Sequence, residues 1–121
     1  MSITRLDPHE RLSGAVICNG MIHFAGQVTT DETLDTEGQT ANVLHQIDSL
    51  LAQAGSRKSD IVSVQIFLTD ISEIGEMNKA WDAWLDQGAK PARATVEARA
   101  GGPGLESRND SGCTPRILKK F

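Results

Sequence analysis

The chain has 121 residues, enough for one core and no second domain. Its net charge of −4 and sequence pI near 5.3 argue against a nucleic-acid surface driven by bulk positive charge, so nucleic acid is an unfavoured partner. No segment approaches the roughly 20 apolar residues of a membrane span, and the amino terminus carries no apolar run of signal-peptide length, which together read as a cytoplasmic protein with no membrane partner.

The first periodic segment is Ala15-Val16-Ile17-Cys18, followed by Asn19-Gly20 and then Met21-Ile22-His23-Phe24-Ala25. Asn-Gly between two apolar runs predicts a hairpin, because both central residues of a type I′ turn need positive φ. Gly26-Gln27 ends the second strand where the chain needs a bend. A polar stretch from Thr29 to Glu37 leads into a helix whose Ala41, Leu44, Ile47, Leu51 and Ala54 keep the helical period, with Gly55 as its stop. Ile61 to Leu68 reads as a strand partly buried on both faces, with Val62, Val64, Ile66 and Leu68 on one face. A second helix is expected from about Ser72 to Gln87, closed by Gly88. Its Trp81 and Trp84 read as core rather than as a ligand platform.

The last clear strand is Pro91-Ala92-Arg93-Ala94-Thr95-Val96-Glu97-Ala98. Alternation puts Arg93, Thr95 and Glu97 on one face, so a guanidinium shares its side with a hydroxyl and a carboxylate. An arginine fork pairs bidentately with a carboxylate or phosphate and keeps its proton, which suits an anion anchor. A surface or interface ion pair with Glu97 or another acid is the plainer alternative. Cys18 and Cys113 have no metal spacing and form no disulfide framework, and His9, His23 and His45 are scattered, so no metal is implied. Gly101-Gly102-Pro103-Gly104 lacks the following Lys and Ser/Thr of a phosphate loop and reads as a turn.

The order is strand, strand, helix, strand, helix, strand. It predicts an α+β fold, a mixed sheet with both helices on one face reached by right-handed crossovers. The opposite face has no third layer, so burial against neighbouring subunits is expected, with a ligand cleft between them.

Five motifs in this order resemble the RidA family, also called the YjgF or liver perchloric-acid-soluble protein family. They are Phe24-Ala25-Gly26-Gln27, Gln39-Thr40-Ala41-Asn42-Val43-Leu44, Val64-Gln65-Ile66-Phe67-Leu68-Thr69-Asp70, Met77-Asn78-Lys79-Ala80-Trp81 and Pro91-Ala92-Arg93-Ala94-Thr95-Val96. The resemblance spans about residues 12 to 105. It implies a chorismate-mutase-like fold, a homotrimer around a sheet-lined barrel, and clefts between subunits. There, characterised members hydrolyse 2-imino and 2-enamino acids to 2-keto acids and ammonia without a cofactor. Arg93 falls on the family arginine that holds the substrate carboxylate. The substrate-binding set implied with it is Thr95, Ala25, Gly26, Asn78 and Leu12. Three of these depart from the deaminating pattern: Leu12 stands for a tyrosine, Ala25 for a serine and Thr95 for a cysteine. Asn78 matches the family asparagine, and serves equally well as a helix-surface or packing residue.

The carboxylate that would position the attacking water is expected on a last strand of the form Val-Glu-Ile-Glu, where this chain has Arg108. Residues 107 to 115 show turn formers, a proline and no alternation, so they do not read as a central strand. Back-translation of Glu106 to Leu118 with one base dropped near its start yields Glu-Val-Glu-Met-Thr-Val-Val-Ala-Arg-Arg-Ala-Tyr and then a stop. In that frame a glutamate replaces Arg108. Residues 107–121 therefore read as the product of a frameshift, or else as a divergent tail. The functional expectation is RidA-like imine hydrolysis. The alternatives are a non-catalytic binder or sensor of small carboxylates such as 2-keto acids and, third, the ribonuclease or translation-inhibitor activity described for some members.

Overall fold

The structure, a computed structural model, describes residues 2–99 and the strand at 113–120. Six strands form one mixed sheet: β1 (Ile3–Pro8), β2 (Ser13–Cys18), β3 (Met21–Phe24), β4 (Ile61–Leu68), β5 (Ala92–Glu97) and β6 (Cys113–Lys120). The spatial order is β1-β2-β3-β6-β4-β5, antiparallel throughout except for the parallel pair β4–β5. Two helices, α1 (Thr36–Gln53) and α2 (Ile74–Trp84), pack on one face. Their Leu44, Ile47, Leu51, Met77 and Trp81 meet Ile22, Val64, Ile66 and Leu68 of the sheet in a single core. This is the expected α+β arrangement.

Local chemistry explains most boundaries. Asn19 and Gly20 take φ of 53° and 72°, which is the turn that joins β2 to β3. Asp35 caps α1 by accepting from the Gly38 N–H at 2.8 Å. At the other end Gly55 adopts φ 71°, while Ser56 N–H donates to Leu51 C=O and Gly55 N–H to Ala52 C=O. These are the paired bonds of a Schellman stop, and they satisfy two of the carbonyls that a helix end leaves open.

Four expectations need correction. Residues 3–8 form an additional strand, β1, paired with β2. Because five of its six residues are exposed, it has no hydrophobic alternation to announce it. The second helix is shorter than expected, since a separate 3₁₀ turn at Ile71–Glu73 precedes Ile74 and Leu85 leaves the helix with an extended ψ of 139°. Gly88 therefore lies beyond the helix, in a turn where its N–H donates to Asp86 Oδ1. On β4 the buried set is Ile61, Val64, Ile66 and Leu68, whereas Val62 is 47% exposed. The pairing steps from Ile61 to Ser63 while β6 advances by one residue, so a bulge at Val62 reverses the alternation there.

The fourth correction concerns the tail. Residues 113–120 occupy the centre of the sheet, between β3 and β4, with Pro115 opposite Ile66. A proline donates no ladder bond, yet β3 and β4 each need a partner on their facing edges, and that need outweighs one lost donor. Residues 107–112, and the expected turn at Gly101–Gly104, lie outside the described residues.

Candidate functional site

β5 lies at the edge of the sheet, so one side of its backbone has no strand partner among the described residues. Its register pairs Arg93 with Val64 and Thr95 with Ile66. Val64 and Ile66 are 1% exposed and face the helices, and residues paired across a sheet point to the same side. Arg93, Thr95 and Glu97 thus share the helix-facing side of β5, as alternation predicted. Ala92 and Ala94 lie on the open side with Ser63 and Gln65.

The Arg93 side chain runs to α2. Its Nη1 donates to Asn78 Oδ1 at 2.8 Å, and its guanidinium carbon sits 5.2 Å from the centre of the Trp81 ring. The ion pair with Glu97 does not form. Glu97 Oε1 instead accepts from the Ile71 N–H at 3.0 Å and ties the β5 edge to the turn before α2. Among the described residues Arg93 pairs with no carboxylate, and its side chain is exposed. Neither the neutral amide nor the ring cancels the charge of the guanidinium.

Ala25 and Gly26, just past the end of β3, line a cavity of about 630 Å³ together with Ser63, Gln65, Ala92 and Arg93. Ala25, Gly26 and Arg93 line one cavity, to which Ser63, Gln65 and Ala92 contribute from the open side of the sheet, while the Arg93 guanidinium bonds Asn78 on the helix side. Thr95 lies two residues along the same face, and its Oγ1 is buried with no hydrogen-bond partner among the described residues. Leu12 is not brought to this group. It stands between β1 and β2, 55% exposed, and does not line the cavity.

Sequence reasoning missed the role of Trp81, which is core and platform at once. The signal was available, because Asn78 and Trp81 are three residues apart and so share a helix face. The segment after Gly26 is strapped to α1 by side-chain amides. Asn42 Oδ1 accepts from the Thr30 N–H at 2.9 Å, and Gln46 Nε2 donates to Val28 C=O at 2.8 Å. Near the β5 edge, the Ser72 hydroxyl and N–H, both donating to Asp70, hold that carboxyl below its ordinary value. Farther along α2, lost hydration raises the Glu76 carboxyl, and the charges of Glu73 and Asp35 add to the effect. Among the described residues no group of three or more His, Cys, Asp or Glu side chains is placed to hold a metal, and no helix is long and apolar enough to cross a membrane.

The family model described as Endoribonuclease L-PSP matches residues 2–106. A RutC family protein of Haemophilus ducreyi is 44% identical over 101 residues, covering 84% of this chain and 86% of that protein. The RutC family protein YoaB of Escherichia coli is 45% identical over 100 residues, covering 81% and 85%. Among solved structures, a YjgF-family protein from Neisseria meningitidis superposes with a TM-score of 0.88 at 38% identity, over 99% of this chain and 95% of that one. A protein from Salmonella typhimurium described as a putative translation initiation inhibitor gives 0.85 at 38% identity, over 99% and 98%. Sequence and fold agree: this chain belongs to the L-PSP family, which includes the RutC and YjgF proteins.

Proposed function

We propose that the protein binds a small carboxylate at Arg93, in a cleft completed by a neighbouring subunit of a cytoplasmic homotrimer, and that its site is built for RidA-like hydrolysis of 2-imino acids. The observation that carries this reading is the guanidinium itself. It is exposed on an edge strand, oriented by Asn78 and Trp81, and free of any protein carboxylate among the described residues. A bound carboxylate would supply the bidentate partner that the described residues do not. Backbone groups near Gly26 and Thr95 then orient the substrate, and water adds to the imine carbon. The C=N bond becomes a carbinolamine, which expels ammonia to leave the 2-keto acid. No redox partner is needed.

The water needs a group to orient it and accept its proton, and an arginine at position 108 cannot do this because its pKa stays far above neutrality. Glu97 is no substitute. It lies about 13 Å along the strand from Arg93 and is engaged at Ile71. The chain as it stands therefore acts as a carboxylate binder, and a frame-restored chain, with a glutamate in place of Arg108, is the deaminase. Two observations support a frame slip: the family match ends at residue 106, and the central slot that β6 fills between β3 and β4 would suit the alternating Val-Glu-Met-Thr-Val-Val of the restored frame. A net charge of −4 disfavours the ribonuclease reading.

The test measures hydrolysis of 2-iminobutyrate generated in situ by the chain as given, the restored chain, and the restored chain with Arg93→Ala. Activity is expected in the restored chain alone. Full activity in the chain as given would overturn the mechanism, while pyruvate binding unchanged by Arg93→Lys would assign Arg93 a structural role. Sedimentation is expected to give a species of about 39 kDa, three chains of 13.0 kDa. A stable monomer would count against the shared cleft.

A further inference from the structure

The guanidinium of Arg93 is held from two sides by one helix. Asn78 takes Nη1, and the guanidinium carbon lies over the ring of Trp81, three residues on, 5.2 Å from its centre. Trp81 is itself fixed. It is 5% exposed, and its ring centre lies 5.6 Å from that of Trp84 at an interplanar angle of 46°. Trp84 is pinned in turn, because its Nε1 donates to Asp48 Oδ1 at 3.0 Å and its ring carries the Lys58 ammonium 5.4 Å from its centre. The ring contact and the single bond at Nη1 together restrict where the guanidinium can sit. Nε and Nη2 have no hydrogen-bond partner among the described residues. Those two nitrogens form the edge that accepts a carboxylate side-on.

We propose that Trp81 is a positioning residue of the anion site, aligning the Nε/Nη2 edge of Arg93 before a carboxylate arrives. This rests on the Arg93 reading above and names what tunes it. Alignment in advance removes part of the ordering cost from binding, so affinity depends on the ring through the arginine. A tryptophan face holds a cation better than a phenylalanine face, which makes Trp81→Phe the gentle perturbation.

The experiment is a double-mutant cycle read by calorimetry with pyruvate: the unchanged protein, Trp81→Phe, Arg93→Lys and the pair, with thermal unfolding of each. Trp81→Phe is expected to weaken pyruvate by about two- to fivefold. In the Arg93→Lys background it is expected to change little, because an ammonium has no plane to align. An equal loss in both backgrounds, or no loss from Trp81→Phe while Arg93→Lys does weaken binding, overturns the positioning role alone. No loss from Arg93→Lys overturns the anchor reading and this one with it. Should Trp81→Phe fail to fold, Trp84→Phe keeps a ring beside Trp81 and leaves Trp81 as the sole tryptophan. Saturating pyruvate is then expected to shift its emission, Arg93→Lys to abolish the shift, and an emission indifferent to pyruvate overturns the proposal.

Discussion

The buried hydroxyl of Thr95 sets up a test in which stability and function move in opposite directions. Its Oγ1 is shielded from solvent and has no partner among the described residues, although the residue as a whole is half-buried on β5 beside Ile66. A buried hydroxyl left without a hydrogen bond costs about 1–3 kcal/mol. Thr95→Val removes that group, keeps the β-branched shape that suits a strand, and adds a little apolar burial. The expected result is a gain of about 1–2 kcal/mol. With a urea slope of about 2 kcal/mol per molar, the midpoint moves up by about 0.5–1 M. Denaturation is compared at fixed protomer concentration, without and with saturating pyruvate, because ligand and assembly both shift apparent stability. If the hydroxyl orients the bound substrate, the valine variant is more stable alone but gains less from pyruvate. A midpoint that falls by the equivalent of about 1 kcal/mol or more would refute the reasoning, for it would mean that the hydroxyl is satisfied in the working protein.

Three further outcomes follow from the same geometry. Asp35→Ala removes the side chain that accepts from Gly38 N–H and is expected to cost about 1 kcal/mol in chemical denaturation, with most of that recovered by Asp35→Asn. Asp70 has its carboxyl lowered by the Ser72 bonds, so the folded state favours the ionised form, and the stability it contributes is present above the ordinary aspartate value of 3.8 and lost as pH falls through the depressed one. Asp70→Asn is expected to flatten that part of the acid limb of a stability-against-pH curve, and an unchanged limb would remove Asp70 from the account. Reading the DNA across the codons for residues 104–121, together with an intact mass, is expected to reveal one extra base near codon 107, whereas an uninterrupted frame matching the stated protein would establish a divergent tail.

What the sequence determined by itself is what local chemistry determines. Asn19-Gly20 names its turn because these two residues accept positive φ most cheaply, and Gly55 ends α1 for the same reason. The period of Leu44, Ile47 and Leu51 identifies the buried stripe of α1, and the ordered motifs identify the family. Other features depend on neighbours far along the chain. Val62 turns outward because of how β4 registers against β6, and β1 exists because β2 offers it an edge although its own residues are exposed. A strand at 113–120 forms despite Pro115 because β3 and β4 both have an edge to satisfy. The orientation of Arg93 is of this second kind. Alternation assigns the arginine to a face, but the placement of its guanidinium depends on Asn78 and Trp81, fifteen and twelve residues earlier on α2, which the tertiary structure brings to it as a hydrogen-bonded amide and a ring.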